Sequence, residues 1–194
     1  MIQPAITAVI LAGGQGTRIG GDKGLQLLHD RPLIAWVLDA IRPQTNEILL
    51  SANSKRDEYT ELNCRVIADQ TPGWVGPLAG LQSALRCAQH DLIASVPCDT
   101  PFLPKDLIAR MCVAMADTDE AVVVVAEGRR QSTIALHRII VLPKLDAYLK
   151  TGGRKVTDWL DTLQVSEVVI DDANAFNNIN TVEELAAANQ TFKL

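Results

Sequence analysis

Short runs of aliphatic and β-branched residues recur along the chain, and between them the apolar positions switch to helical spacing. The runs Ile6 to Leu11, Glu47 to Ser51, Cys64 to Ile67, Leu92 to Val96, Ala121 to Ala126, Thr133 to Leu136 and Val165 to Ile170 have the length and composition of buried strands. The spacing predicts a helix carrying Leu33, Ile34, Val37, Leu38 and Ile41 on one stripe, then others carrying Leu78, Leu81 and Leu85, and Leu107, Ile108, Met111 and Met115. Two more stripes follow at Leu142, Leu145 and Leu149, and at Val156, Trp159, Leu160 and Leu163. Thr181 and Glu184 stand at capping-box distance and announce a last helix. Strands alternating with helices require right-handed crossovers. The pattern therefore predicts an α/β fold: Rossmann-like, three layers α/β/α, with a mainly parallel sheet that includes an antiparallel strand. No internal repeat, low-complexity tract or Ser/Gly linker divides the pattern, so residues 1–194 read as a single domain.

A hydrophobic share of 47% with 21% charged residues belongs to a globular protein, and no apolar run approaches the ~20 residues of a membrane helix. The first residues lack the basic region and cleavage site of a signal peptide, which points to the cytoplasm. Cys64, Cys87, Cys98 and Cys112 form no CxxC pair, and His29, His90 and His137 are as scattered, so neither zinc nor structural disulfides are expected. The net charge of −5 leaves no broad electrostatic footprint for nucleic acid. A bound polyanion must be met by a few local cations.

One segment is built for that. Leu11 to Gly24, LAGGQGTRIGGDKG, follows the first strand directly and contains six glycines. Glycines admit positive φ and bring backbone amides close to a ligand, so the loop reads as a phosphate cradle in which Arg18 and Lys23 meet the charge. It is not a Walker A loop, which needs Gly immediately before Lys where Asp22 stands. Gly14, Gly16 and Gly20 also miss the dinucleotide spacing by one residue. A merely flexible connection would need neither cation.

The LAGG opening, the following Arg and the Gly-Gly-Asp-Lys resemble the signature loop of Rossmann-like nucleotidyltransferases, and in detail that of the molybdenum cofactor guanylyltransferase (MobA) family. Asn53, Asp69 in VIAD, GPLAG at Gly76 to Gly80, PCDTPF at Pro97 to Phe102, GGRKV at Gly152 to Val156 and NNINTVEEL at Asn177 to Leu185 resemble that family in order and approximate spacing. The chain departs from the pattern in two places: the Arg18 to Lys23 stretch is one residue shorter than in some members, and Gln131-Ser132-Thr133 replaces a His-Pro-like pair. The resemblance implies transfer of GMP from GTP to the terminal phosphate of Mo-molybdopterin, with Mg²⁺ as cofactor and diphosphate released. It also implies transient contact with molybdenum-insertion proteins and with the molybdoenzymes that receive the product. Nucleic acid and membrane are not expected partners.

Beside that resemblance each candidate keeps a plainer reading. Asp99 lies beyond a strand end, where a carboxylate can hold Mg²⁺ against phosphates or simply cap a turn ahead of Pro101. Gly76, Pro77 and Gly80 either offer amides to a base or phosphate or start a helix with Pro near its first position. Asn53 and Asp69 also follow strands, where an amide can read base or ribose and a carboxylate can accept from guanine N1 and N2, or where both can shape turns. Arg154 and Lys155, with Asn178 and Asn180, are candidates for the acceptor; otherwise they are a solvated basic pair and an Asn-rich turn. Trp36 and Trp159 fall on apolar helical faces and read as core; Trp74 lies in a loop.

The assignment that follows gives Leu11, Ala12, Gly13, Gly14, Lys23, Asn53, Asp69, Gly76, Pro77, Gly80 and Asp99 to the nucleotide. Arg18, Lys23 and Asp99 carry the chemistry, and Asp99 holds the metal. A phosphomonoester is mostly dianionic at neutral pH because its second pKa is ~6, so no general base is required. The obstacle is repulsion, about 4 kcal/mol for each pair of like charges ~4 Å apart at an effective dielectric of ~20. Three other functions stay open on residues alone: a related transferase using CTP or a sugar phosphate, a non-catalytic nucleotide-binding or cofactor-delivery protein, and an NAD-dependent oxidoreductase, which the glycine spacing disfavours.

Overall fold

The computed structural model describes residues 4–13, 19, 21–54, 56–69, 76–172 and 174–191. Nine strands and seven α-helices follow one another among them. The central sheet contains β1 (Ile6–Leu11), β4 (Glu47–Ser51), β5 (Arg65–Ile67), β6 (Leu92–Pro97), β7 (Ala121–Ala126), β8 (Arg129–Arg138) and β9 (Val165–Val169), in the order β5-β4-β1-β6-β8-β7-β9. Only β8 runs against the rest, so the expected antiparallel strand is present in a mainly parallel sheet. β2 (Leu27–Leu28) and β3 (Arg31–Pro32) form a separate small hairpin.

The apolar runs are continuous because both faces of the sheet are covered. In β1, Ile6, Ala8 and Ile10 join a cluster with Ile34, Val37 and Ile41 of α1 (Leu33–Ile41) and Leu107, Ile108 and Met111 of α4 (Leu107–Ala114). Val9 faces the other way and packs with Leu78, Leu81 and Leu85 of α3 (Pro77–Cys87), Leu145 and Leu149 of α5 (Leu142–Lys150), and Trp159 and Leu160 of α6 (Val156–Leu160). Alternate side chains of one strand thus feed two helical layers, giving the three-layer Rossmann-like arrangement. A third cluster of Ile19, Leu28, Leu33 and Ile179 fastens the small hairpin and the segment leading to α7 (Val182–Thr191).

Two features position the site. Leu11 pairs with Ser51 of β4 on one side and Pro97 of β6 on the other, so three carboxyl ends lie level where the chain changes its direction of growth across the sheet. Ligands of open α/β sheets sit in that crevice. The second is an irregularity in β8. Val123 faces Ala135 but Val124 faces Gln131, so Ser132, Thr133 and Ile134 bulge out of the β7 ladder. The Ser95 hydroxyl donates to the Thr133 carbonyl at 3.0 Å and fixes the bulge beside the end of β6.

Candidate active site

The crevice is a cleft of about 230 Å³. Its floor starts where the ladders stop. Ala12 N donates to Ser51 O at 2.9 Å and Cys98 N to Leu11 O at 3.2 Å, which carries the strand geometry one residue past β1 and β6 and holds Leu11, Ala12 and Gly13 against the cavity. Gly76, Pro77 and Gly80 close the opposite side. Gly76 has φ +77°, a left-handed conformation that admits glycine readily, and Pro77 follows it at the start of α3. Gly80 is required by contact: a Cβ there would lie 2.5 Å from Ser51 Oγ and 3.0 Å from Leu11 Cδ2.

Lys23 and Asp99 meet in the cleft although 76 residues separate them. Lys23 Nζ lies 3.2 Å from Asp99 Oδ2 and donates to Asn180 Oδ1 at 2.5 Å. Asp99 is 6% exposed, and its Oδ1 has no hydrogen-bond partner among the described residues. A buried carboxylate oxygen without a donor is unfavourable, and a divalent cation satisfies it well. No cluster of three His, Cys, Asp or Glu side chains able to hold a metal occurs among the described residues, so a metal here would rest on Asp99 together with phosphate and water. That donor set suits Mg²⁺, which commonly keeps several waters and one or two carboxylates.

Asn180 arrives by a local route. Ile179 N donates to Asp99 O at 2.9 Å, tying the Asn-rich segment to the end of β6. One residue later Thr181 Oγ1 accepts from Glu184 N at 3.1 Å while Glu184 Oε2 accepts from Thr181 N at 3.1 Å, the predicted capping box. Asn178 also lines the cleft, at its border with a larger groove alongside α7.

Asp69 lines the cleft at its other end, held at both oxygens. Ser51 Oγ donates to Oδ1 at 3.3 Å and Asn53 Nδ2 to Oδ2 at 2.8 Å, while Asp69 N donates back to Asn53 Oδ1 at 3.0 Å. Asn53 therefore orients Asp69 and does not itself line the cavity.

The remaining candidates divide. Gly14 and Arg18 lie outside the described residues, as does Trp74. Arg154 and Lys155 are exposed and do not line the cleft: the Arg154 guanidinium donates to the Leu149 and Gly153 carbonyls, and Lys155 Nζ lies 3.9 Å from Asp158. Val156, the residue after Lys155, borders a small cavity shared with Pro77 and Thr133. Trp159 is fully buried, and Trp36 is partly buried against the cluster of Ile19, Leu28, Leu33 and Ile179 with the Arg31 guanidinium 4.7 Å over its ring, so both pack on core, Trp36 at its edge. Sequence reading missed Ser51, hidden as the last letter of an apolar strand, and Thr133, which lines the cleft where the family's His-Pro-like pair was expected.

The model of the MobA-like NTP transferase domain matches residues 8–165. The chain belongs to the MobA-like NTP transferase family. A Burkholderia lata relative named molybdenum cofactor guanylyltransferase is 46% identical over 195 residues, covering 95% of each chain. A Cupriavidus necator relative of the same name is 41% identical over 187 residues, covering 93% of this chain and 94% of the other. Among solved structures, molybdopterin-guanine dinucleotide biosynthesis protein A from Archaeoglobus fulgidus superposes with a TM-score of 0.80 at 22% identity, over 95% of this chain and 97% of that one. Rv0371c from Mycobacterium tuberculosis, in complex with manganese, gives 0.73 at 17% identity over 97% and 100%. At such identities these two establish the fold of the MobA-like domain, and the relatives carry the family.

Proposed function

We propose that the chain, as one nucleotidyltransferase domain spanning 1–194, transfers GMP from GTP to the terminal phosphate of Mo-molybdopterin, forming the guanine dinucleotide cofactor. An oxygen of the acceptor phosphate bonds to the α-phosphorus of GTP, the bond from that phosphorus to the β-phosphate oxygen breaks, and diphosphate leaves with the electron pair. No proton has to be removed from a dianionic nucleophile. The observation that carries this reading is the meeting of Lys23 and Asp99, with an Asp99 oxygen left unpaired, at the level carboxyl ends of β1, β4 and β6.

In this reading Leu11 and Ala12, held by the strand ladders, border the phosphates while the Gly13 amide orients them, and Lys23 neutralises charge on the triphosphate and the departing diphosphate. Arg18 shares that task. Gly76, Pro77 and Gly80 border the nucleoside, and Asp69, oriented by Asn53, accepts from guanine N1 and N2. Asp99 would hold Mg²⁺, which supplies further charge neutralisation and alignment of phosphate oxygens when bound. Asn178 and Asn180, with Arg154 and Lys155, receive the acceptor. The product passes by transient contact to molybdenum-insertion proteins and molybdoenzymes.

We place the reaction in the cytoplasm. No helix among the described residues is long and apolar enough to cross a membrane, and the four cysteines are unpaired, as suits a reducing compartment. A nucleotide panel tests the substrate. With Mg²⁺ and molybdopterin, diphosphate release is expected with GTP at least tenfold faster than with CTP, ATP or UTP, because of the four bases only guanine presents the adjacent N1 and N2 donors that a carboxylate can accept as a pair. Equal rates with CTP would contradict the guanine assignment.

A further inference from the structure

Lys23 is the cation on which the proposed reaction leans, yet it comes from a segment rich in glycine, which by itself fixes little. What holds it is a contact from an element with no other evident task. The 3₁₀ turn Lys23–Leu25 is capped by Asp22, whose Oδ1 accepts from Gly24 N at 3.2 Å. The same oxygen accepts the hydroxyl hydrogen of Tyr59, from the short helix α2 (Arg56–Thr60), and Oδ2 accepts from Ser54 Oγ at 3.4 Å. Tyr59 is fully buried, and its hydroxyl lies against the turn so closely that a Cβ on Gly24 would stand 2.6 Å from it. Burial pushes the Tyr59 phenol up from its ordinary value, so it remains a hydrogen-bond donor at any working pH. Neither Tyr59 nor Asp22 lines the cleft.

We propose that Tyr59 is a positioning residue for Lys23: its hydroxyl locks the Asp22 carboxylate, which locks the turn and aims the Lys23 ammonium into the cleft beside Asp99. The proposal rests on the reading that Lys23 contacts the triphosphate. Two of the three ammonium donors are taken by Asp99 and Asn180 among the described residues, so the third reaches a phosphate only if the turn presents the side chain at the right angle. Misplacement of a charged group by ~1 Å can cost up to about 10²-fold in rate, so a single hydroxyl one step removed can matter.

A double-mutant cycle separates positioning from plain structural support. Steady-state GMP transfer is measured for the wild type, Tyr59→Phe, Lys23→Ala and the pair, with thermal denaturation of each. Tyr59→Phe is expected to lower kcat/KM for GTP about tenfold in the wild-type background and less than about twofold in the Lys23→Ala background, because a lysine that is gone cannot be mis-aimed. Asp22→Ala in place of Tyr59→Phe should give the same non-additivity, and it keeps the test open if Tyr59→Phe folds poorly. Equal losses in both backgrounds, or no loss from Tyr59→Phe, would overturn the positioning role while leaving Lys23 in the mechanism. Lys23→Ala at wild-type rate would remove the reading of Lys23 itself, and the positioning role with it; the expected loss is about 10²-fold.

Discussion

His137 on β8 illustrates how one buried side chain can matter for stability without touching the chemistry. It is 1% exposed, its Nε2 lies 3.3 Å from Ser95 Oγ, and its Nδ1 has no hydrogen-bond partner among the described residues. Burial pulls its pKa down to about 4, so the folded protein keeps the ring neutral where the unfolded chain begins to take up a proton near pH ~6.5. The stability is therefore intact above pH ~6.5 and falls as pH drops toward 4, by roughly 3 kcal/mol in all. Urea denaturation at pH 7 and pH 5 should show this decline in the wild type and a much smaller one in His137→Gln. An unchanged decline in the variant would mean that carboxylates, not His137, set it. The same variant, once folded, should transfer GMP at near wild-type rate, since the proposed chemistry needs no imidazole.

Gly80 belongs to the scale of elements, because it sets how closely α3 approaches β1 and β4. Gly80→Ala places a methyl 2.5 Å from Ser51 Oγ and 3.0 Å from Leu11 Cδ2, so the helix must retreat or Ser51 must turn away from Asp69. A loss of about 1–3 kcal/mol in unfolding free energy is expected from such overpacking, together with a raised KM for GTP. Unchanged stability and KM would show that the helix moves without disturbing Asp69. Legibility in the sequence follows the same elements. The seven sheet strands and the helices with apolar stripes are visible because burial on both sheet faces writes long apolar runs and helical periods. α2 is not, since its five residues hold one large apolar side chain, Tyr59, and no stripe can form in so short a helix. β2 and β3 are two residues each and turn at His29 and Asp30, which take positive φ without the Asn-Gly or Asp-Gly signal. β8 runs further than its apolar core, from Arg129 rather than Thr133, because Glu127 and Gly128 form a tight turn that pairs its polar end with β7.

Across the whole molecule, polar residues placed just past strand ends converge because parallel strands present their carboxyl ends on one edge. Asp69 and Asp99 could be picked out from the sequence for that reason, Lys23 from the glycine loop and Asn180 from the family resemblance, even though their partners could not. Ser51 and Tyr59 escaped notice because each acts through another side chain, and such support leaves no motif. The family resemblance implies that Arg154 and Lys155 contact the acceptor, but their present partners are backbone carbonyls and Asp158, so an acceptor role requires them to swing inward. With a net charge of −5 the molecule offers no general attraction for two phosphate groups, and the cleft must supply it locally.

The most direct test of that central claim follows the α-phosphate label from GTP into molybdopterin in single turnovers, comparing wild type with Asp99→Asn over a range of Mg²⁺ concentrations. The expected result is Mg²⁺-dependent transfer in the wild type, abolished by chelation, and a fall of about 10²-fold or more in Asp99→Asn with the fold intact. Transfer by Asp99→Asn at wild-type rate and with the same Mg²⁺ dependence would contradict the account.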